Sequence, residues 1–133
     1  MPEPPVAFAG VGPDAVSYSQ VDDLAAVRGF VRARAQALGL APERAGRLLI
    51  AISELVTNTL LHTTGGGRVR VFAEPGFVVC DVVDGGRPRE FGREMPSADA
   101  VSGRGLAIVE RICDEVSTAA VPDGTLVRLR LRR

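Results

Sequence analysis

Three short segments of the chain combine residue types that could bind or activate a ligand. In the first, Glu54, Asn58 and His62 recur every four residues within the apolar sequence RLLIAISELVTNTLLH. On a helix this spacing places them within an arc of roughly 80°. A carboxylate in an apolar helix is costly unless it is paired, hydrogen-bonded or hydrated. The stripe therefore predicts either a polar pocket against the helix or a polar edge that reaches solvent.

The second segment is the end of an apolar strand. Asp84 closes the sequence FVVCDVVD and is followed at once by Gly85 and Gly86. A carboxylate at this position can accept a hydrogen bond from an exocyclic amine, while the glycines leave room for a ligand beside the backbone. The alternative is a simple turn with Asp at its first position.

The third segment, SGRGLAIVERI, has two glycines just before a predicted helix. The N–H groups at the start of a helix can hold phosphate, so Gly103 and Gly105 could lead into an anion site. The segment differs from the dinucleotide-binding fingerprint, because Ile108 stands where a third glycine is needed. The alternative is a flexible start to the helix.

The composition excludes several other kinds of site. Every basic residue is arginine, which excludes a phosphate-loop lysine, the strand lysine of the common protein kinases and a Schiff-base lysine. The single histidine, His62, excludes a histidine metal cluster. Cys80 and Cys113 are 33 residues apart and cannot form a CxxC site. We expect both cysteines to be small buried residues in a reducing cytosol.

Charge and hydropathy indicate which kinds of partner and which cellular location to expect. Sixteen basic and 16 acidic residues give a formal net charge of zero, so neither direct nucleic-acid binding nor an anionic membrane is expected. No apolar run approaches the roughly 20 residues of a membrane span. The first residues lack the basic and then apolar pattern of a signal peptide. We therefore expect a cytoplasmic protein.

The elements that must position these segments follow from periodicity and from turn residues. We expect a flexible N-terminal arm over residues 1–13, which hold four prolines and two glycines, and a single domain over 14–133. Residues 85–103 are loop-like. Strands are predicted over 15–20, 68–74, 77–84, 116–121 and 125–132. Helices are predicted from Asp22 and Asp23 to Gly39, from Pro42 to about His62, and from about Gly105 to Glu115.

The three segments in this order resemble the GHKL ATP-binding fold, which is shared by type II topoisomerases, mismatch-repair proteins, heat-shock chaperones and sensor histidine kinases. The resemblance covers about residues 20–132. ELVTNTLLH is similar to the N box, VVDGG to the first glycine box and GRGLAIVERI to the second. Among these proteins, the chain most resembles the small bacterial anti-sigma regulators that act as serine kinases on anti-anti-sigma proteins.

The resemblance implies a role for each residue of the site. Glu54 would be the general base, and Asn58 would be the Mg²⁺ ligand. Arg104 is the candidate to help neutralise the phosphates, although a solvated loop arginine is the favoured interpretation. For His62 a structural role at the helix end is favoured over a catalytic one. At the adenine, Asp84 would bind the amino group, Gly86 would shape that contact and Thr125 would support the same end of the base. At the phosphates, the contacts would be Gly103, Gly105 and the adjoining Leu106.

The resemblance also implies an α/β (α+β) two-layer sandwich, in which a mostly antiparallel mixed sheet of four or five strands is covered on one face by about three helices. The expected function is an anti-sigma regulator that binds ATP and Mg²⁺ and phosphorylates a serine of a STAS-type anti-anti-sigma protein. Its other partners would be a sigma factor and, in a homodimer, a second copy of the chain. The alternative is a regulatory binding module with a retained or vestigial nucleotide site.

The chain departs from the family pattern in the first glycine box. Pro88 replaces the last glycine of the D-x-G-x-G pattern, and the lid that follows is short, with Phe91, Met95 and Val101 as its apolar anchors. Proline stiffens one hinge of the lid. Its closure over a nucleotide is therefore in question.

Overall fold

The computed structural model describes residues 14–62, 66–84, 107–122 and 124–133. Within these ranges the chain forms five strands, two long helices, a short helix and one 3₁₀ turn. In chain order the elements are β1 (Ala15–Tyr18), the 3₁₀ turn (Val21–Asp23), α1 (Leu24–Ala37), α2 (Pro42–His62), β2 (Gly67–Glu74), β3 (Phe77–Asp84), α3 (107–112), β4 (Glu115–Val121) and β5 (Gly124–Arg132).

The strands form a single sheet in the order β1-β2-β3-β5-β4, and all four neighbouring pairs are antiparallel. Alternate residues of the sheet face the helices. The main core joins Val27 and Val31 of α1, Ile52 of α2 and Val109 of α3 to the helix-facing side chains of β2, β3 and β5. The expected fold, helices covering one face of a mainly antiparallel sheet, is confirmed.

Local signals determine where the long helices begin and end. α2 begins at Pro42, as expected. The carbonyl of Ala41 accepts the first helical hydrogen bond, from Ala45 N–H at 2.8 Å. Proline is tolerated at this first position because a backbone N–H there would have no helical partner. α1 is terminated by Gly39, whose φ is 85°. Leu40 N–H then donates to Ala35 O at 3.0 Å, which closes the last turn.

Asp23 is the N-cap residue of α1, as expected, but its side chain makes no capping hydrogen bond to the helix. A 3₁₀ turn precedes α1, and Gln20 is the N-cap of that turn. The Asp23 carboxylate reaches back and accepts the N–H groups of Ser19 at 2.8 Å and Gln20 at 3.0 Å. These bonds lower the pKa of Asp23. They also occupy the N–H groups that would continue β1, so this strand ends at Tyr18 and not at residue 20.

The third helix ends earlier than expected. It was predicted to run to Glu115, but its last residue is Ile112. Asp114 N–H already donates to Arg130 O on β5 at 3.0 Å, and β4 begins with the next residue. Pairing with the sheet therefore replaces the last predicted turn. The expected start near Gly105 and the N-terminal arm lie outside the described residues.

The face of the sheet opposite the helices carries an ion cluster. Arg128 on β5 donates from Nε and Nη2 to both carboxylate oxygens of Asp81 on β3, at 2.7 and 2.8 Å. Arg70 on β2 approaches the same carboxylate at 3.6 Å. Both guanidinium groups lie over the ring of Phe72, at 4.5 Å for Arg70 and 5.7 Å for Arg128. The cluster therefore links the three central strands.

No helix within the described ranges is long and apolar enough to cross a membrane.

Candidate functional site

Glu54 and Asn58 lie on the side of α2 that faces away from the core. Both are half-buried, and the exposed Ile50 and Leu61 lie on the same stripe, one turn before and one turn after them. The opposite side of α2 packs on the sheet through fully buried residues such as Ile52. The 3.6-residue period of the helix separates the two sides. A ligand could therefore reach the carboxylate and the amide without disturbing the core.

The end of β3 lies next to the start of two other strands. Asp84 pairs with Gly67 of β2 on one side and with Thr125 of β5 on the other. Thr125 is buried, with 9% of its surface exposed. The two residues assigned to the adenine by the resemblance are thus neighbours in the sheet, although 41 positions separate them in the chain.

The connection between α2 and β2 limits how far the carboxyl end of α2 can lie from this end of the sheet. Five peptide units link His62 at the end of α2 to Gly67 at the start of β2, so their Cα atoms lie within roughly 18 Å of each other. Asn58 is about one turn before His62. The start of β2, the end of β3 and the start of β5 therefore lie side by side at one end of the sheet, and the short connection limits how far the carboxyl end of α2 can lie from them.

Gly67 makes this end of the sheet unusually tight. A Cβ atom at this position would lie 2.5 Å from the Tyr18 hydroxyl and 2.5 Å from the Val83 carbonyl oxygen. Tyr18 itself is buried, with 3% of its surface exposed. The residue beside Asp84 in the register must therefore be glycine. Sequence reasoning missed this packing role, because the clash involves strands that are distant in the chain.

A polar contact beside Glu54 joins the two long helices. Ser53 Oγ donates to Leu49 O at 2.8 Å and accepts a hydrogen bond from Nη1 of Arg28 on α1 at 3.0 Å. This contact fixes α1 against the turn of α2 that carries Glu54. Sequence reasoning also missed it, since no local pattern relates Arg28 to a serine 25 residues later.

The side chains at the site suit a magnesium nucleotide. Mg²⁺ prefers oxygen ligands and keeps several waters and phosphate oxygens, so it needs only one or two ligands from a protein. An asparagine amide oxygen with a nearby carboxylate fits this requirement. The described ranges contain no group of three or more His, Cys, Asp or Glu side chains that could form a protein cage for a metal. Asn58 is therefore a suitable ligand for a Mg²⁺ ion that is also bound to the phosphates of a nucleotide.

The structure describes only part of the predicted nucleotide site. The structure describes Glu54, Asn58 and Thr125 with their side chains and Asp84 by its backbone. The other predicted nucleotide contacts and the lid lie outside the described residues, namely Gly86, Pro88, Phe91, Met95, Val101, Gly103, Arg104, Gly105 and Leu106.

Comparison with known families agrees with this fold. Residues 18–131 match the family described as the histidine kinase-like ATPase domain. The match covers most of the chain, and the chain belongs to this family. The comparison with curated proteins found no significant match.

Family membership confirms the resemblance at the level of the GHKL-type ATPase superfamily. It supports ATP binding, commonly with Mg²⁺, and a regulatory role. The individual residue roles and the narrower anti-sigma assignment remain predictions.

Proposed function

We propose that this protein is an anti-sigma regulator that binds ATP and Mg²⁺ and phosphorylates a serine of a STAS-type anti-anti-sigma protein. Its second partner is the sigma factor that it sequesters. The observation that carries the proposal is the pairing of Asp84 with Thr125 at the end of the sheet to which the short link from α2 leads, within a chain of the ATPase family.

The proposed chemistry assigns one task to each side chain. Asn58 would hold Mg²⁺ through its amide oxygen, and the ion would neutralise phosphate charge in a chain that contains no lysine. Asp84 accepts a hydrogen bond from the adenine amine, and Thr125 supports the same end of the base. Glu54 orients the serine hydroxyl of the antagonist and accepts its proton.

Transfer then forms one bond and breaks another. The serine oxygen bonds to the γ-phosphorus as the bond between the γ-phosphorus and the β,γ-bridging oxygen breaks, and the products are ADP and a phosphoserine. The proton of the hydroxyl moves to a Glu54 carboxylate oxygen. Because Glu54 lies four residues before Asn58 on one helix, the base and the metal ligand keep a fixed separation during the step.

The test is phosphoryl transfer to candidate antagonists, measured as a mass increase of one phosphoryl group after incubation with ATP and Mg²⁺. Glu54→Gln should lower the transfer rate by about 10²–10⁴ while nucleotide affinity changes little. Asn58→Ala should lower both the rate and the affinity, because the amide also holds the ion before reaction. The matched control is Glu43→Gln, which changes an exposed carboxylate in the first turn of the same helix. It should leave transfer unchanged.

The same variants separate the kinase from a non-catalytic binding module. A kinase variant with Glu54→Gln still binds the sigma factor but no longer modifies the antagonist. If the wild-type protein binds its antagonist and ATP but transfers no phosphate, the kinase proposal fails and the binding-module alternative stands. If Glu54→Gln transfers phosphate at the wild-type rate, the assignment of Glu54 as the base is wrong.

A further inference from the structure

One row of residues crosses the sheet at the end where Asp84 lies. Tyr18 of β1 pairs with Gly67 of β2, and Gly67 pairs with Asp84 of β3. Asp84 in turn pairs with Thr125 of β5. Directly opposite residues of an antiparallel pair lie on the same face. Val69, two residues after Gly67, packs in the main core, so the row lies on the side of the sheet that faces the helices.

Gly67 leaves a gap in this row, and the Tyr18 side chain fills it. The Tyr18 hydroxyl oxygen and Cζ lie 2.5 and 2.7 Å from the point where a Cβ atom of residue 67 would be. Directly opposite residues in a strand pair have Cβ atoms roughly 4.5–5.5 Å apart. The Tyr18 hydroxyl therefore lies over the register partner of Asp84, within hydrogen-bonding reach of a carboxylate at position 84.

The Tyr18 hydroxyl is buried and needs an acceptor. Tyr18 is 3% exposed, and its hydroxyl oxygen is out of contact with solvent. A buried tyrosine hydroxyl is stable when it is hydrogen-bonded. Two acceptors are available beside Gly67, namely the Val83 carbonyl oxygen, 2.5 Å from the same Cβ point, and the carboxylate of Asp84. The carboxylate is the better acceptor, because hydrogen bonds to an ionised group are roughly twice as strong as neutral ones.

We propose that Tyr18 is a positioning residue of the nucleobase site, whose hydroxyl donates to one carboxylate oxygen of Asp84 and so holds the other oxygen in place for the adenine amine. The inference rests on the proposed function, which assigns the adenine to Asp84. A carboxylate has two oxygens and about four acceptor sites, so it accepts from the phenol and from the base together.

The positioning is useful because it is complete before the nucleotide binds. A carboxylate that is already held in one rotamer loses little freedom when it accepts the adenine amine, so less of the binding free energy is spent on ordering it. The buried ring of Tyr18 is itself fixed by the main core. Gly67 is the residue that makes room for the phenol, which gives this glycine a role in the site as well as in the packing of the sheet.

The first test needs no nucleotide and measures the contact itself by urea unfolding. Tyr18→Phe keeps the ring over Gly67 and removes the hydroxyl, and it should lower the urea midpoint by about 1 M. In an Asp84→Ala background the same change should lower the midpoint by less than about 0.3 M, because the acceptor is already gone. The matched control is Ser17→Ala, which removes a hydroxyl from the neighbouring, exposed residue of β1. Its effect should be the same in both backgrounds.

The second test measures nucleotide affinity by calorimetry. Tyr18→Phe should weaken ATP binding about three- to tenfold and leave GTP binding unchanged, so the preference for adenine narrows. With Asp84→Ala already present, Tyr18→Phe should cause no further loss, because the hydroxyl acts through the carboxylate. A hydroxyl with a merely structural role would affect both nucleotides equally or neither. Ser17→Ala should bind ATP as the wild type does.

The outcomes separate this inference from the proposed function. An equal urea shift for Tyr18→Phe with and without Asp84 overturns the inference, because the hydroxyl then bonds elsewhere, as to the Val83 carbonyl. A wild type that binds ATP, with Tyr18→Phe binding it equally well, overturns the positioning role and leaves the proposed function standing. A wild type that binds no adenine nucleotide overturns the proposed function and the positioning role together.

Discussion

The ion cluster around Asp81 offers a direct test of how the sheet is held together. Arg128→Met removes both hydrogen bonds to the Asp81 carboxylate, which is only 2% exposed, and leaves Arg70 at 3.6 Å as its remaining cation. Methionine is apolar and of similar length, so it can still cover the Phe72 ring. The variant therefore isolates the loss of charge pairing.

The expected loss in the free energy of unfolding follows from the geometry. Removing one partner of a fully buried pair costs about 3–5 kcal/mol. The Arg128 side chain is 30% exposed, so water screens the pair and can reach the carboxylate once the guanidinium is gone. We expect a loss of about 2–3 kcal/mol. Arg130→Met is the matched control on the same strand, since its partners Glu74 and Glu115 are 33% and 55% exposed. It should cost at most about 1 kcal/mol.

Urea unfolding followed by circular dichroism measures the difference between these two variants. The protein should be dilute and free of nucleotide, so that neither association nor ligand binding adds stability. Arg128→Met should move the midpoint down by about 1 M or more at an unchanged slope. Adding Asp81→Val to Arg128→Met should recover most of the loss, because the buried carboxylate is then gone and the Arg70 side chain is 31% exposed to water. Equal losses for Arg128→Met and Arg130→Met, or no recovery in the double variant, would refute the reasoning.

Three further outcomes are expected. Asp84→Asn should weaken ATP binding about 10- to 150-fold in calorimetry, through the loss of one charged hydrogen bond to the base. Gly67→Ala should lower the free energy of unfolding by about 1–3 kcal/mol, because its Cβ would overlap Tyr18 and Val83. Burial raises the pKa of Cys113 to about 12 and that of Cys80 well above its usual range. Their contribution to stability should therefore be complete below pH 9 and fall towards pH 12, where the unfolded thiols ionise first.

Each of these three has its own check. Equal affinity for adenine and guanine nucleotides would contradict the role of Asp84. Gly46→Ala, at an exposed helix position with open space around it, should instead stabilise the protein by about 0.5–1 kcal/mol. A Gly67→Ala variant as stable as the wild type would disprove the packing argument. For the thiols, Cys113→Val should flatten the alkaline loss of stability, and an unchanged profile would assign that loss to other groups.

Much of the fold could be predicted because its signals are local. The bounds of α2 follow from Pro42 and from the apolar period of 3.6 residues, and the end of α1 follows from Gly39. The spacing of Val78, Cys80 and Val82 identifies β3 and the face of the strand that packs in the main core. Each of these features depends on residues within a few positions of one another, which is the range over which backbone conformation and side-chain spacing act.

The family was predictable in a different way. The order of Glu54, Asn58, Asp84 and Thr125 along the chain pointed to the ATPase family. That order does not show which of these residues are neighbours, because the pairing of Asp84 with Thr125 depends on the register of β3 and β5. The sequence determined which residue types were available, and the register of the sheet decided which of them became neighbours.

Other features could be decided only by the tertiary structure. The pairing of Asp81 with Arg128 joins residues 47 positions apart, and the early end of α3 follows from the bond between Asp114 and Arg130. The exposure of β4 follows from its place at the edge of the strand order. Because side chains alternate along a strand, the strand's own residues determine its two faces. They do not determine which strands lie beside it. The neighbours depend on all the possible strand pairings, and on how the whole sheet packs against its helices.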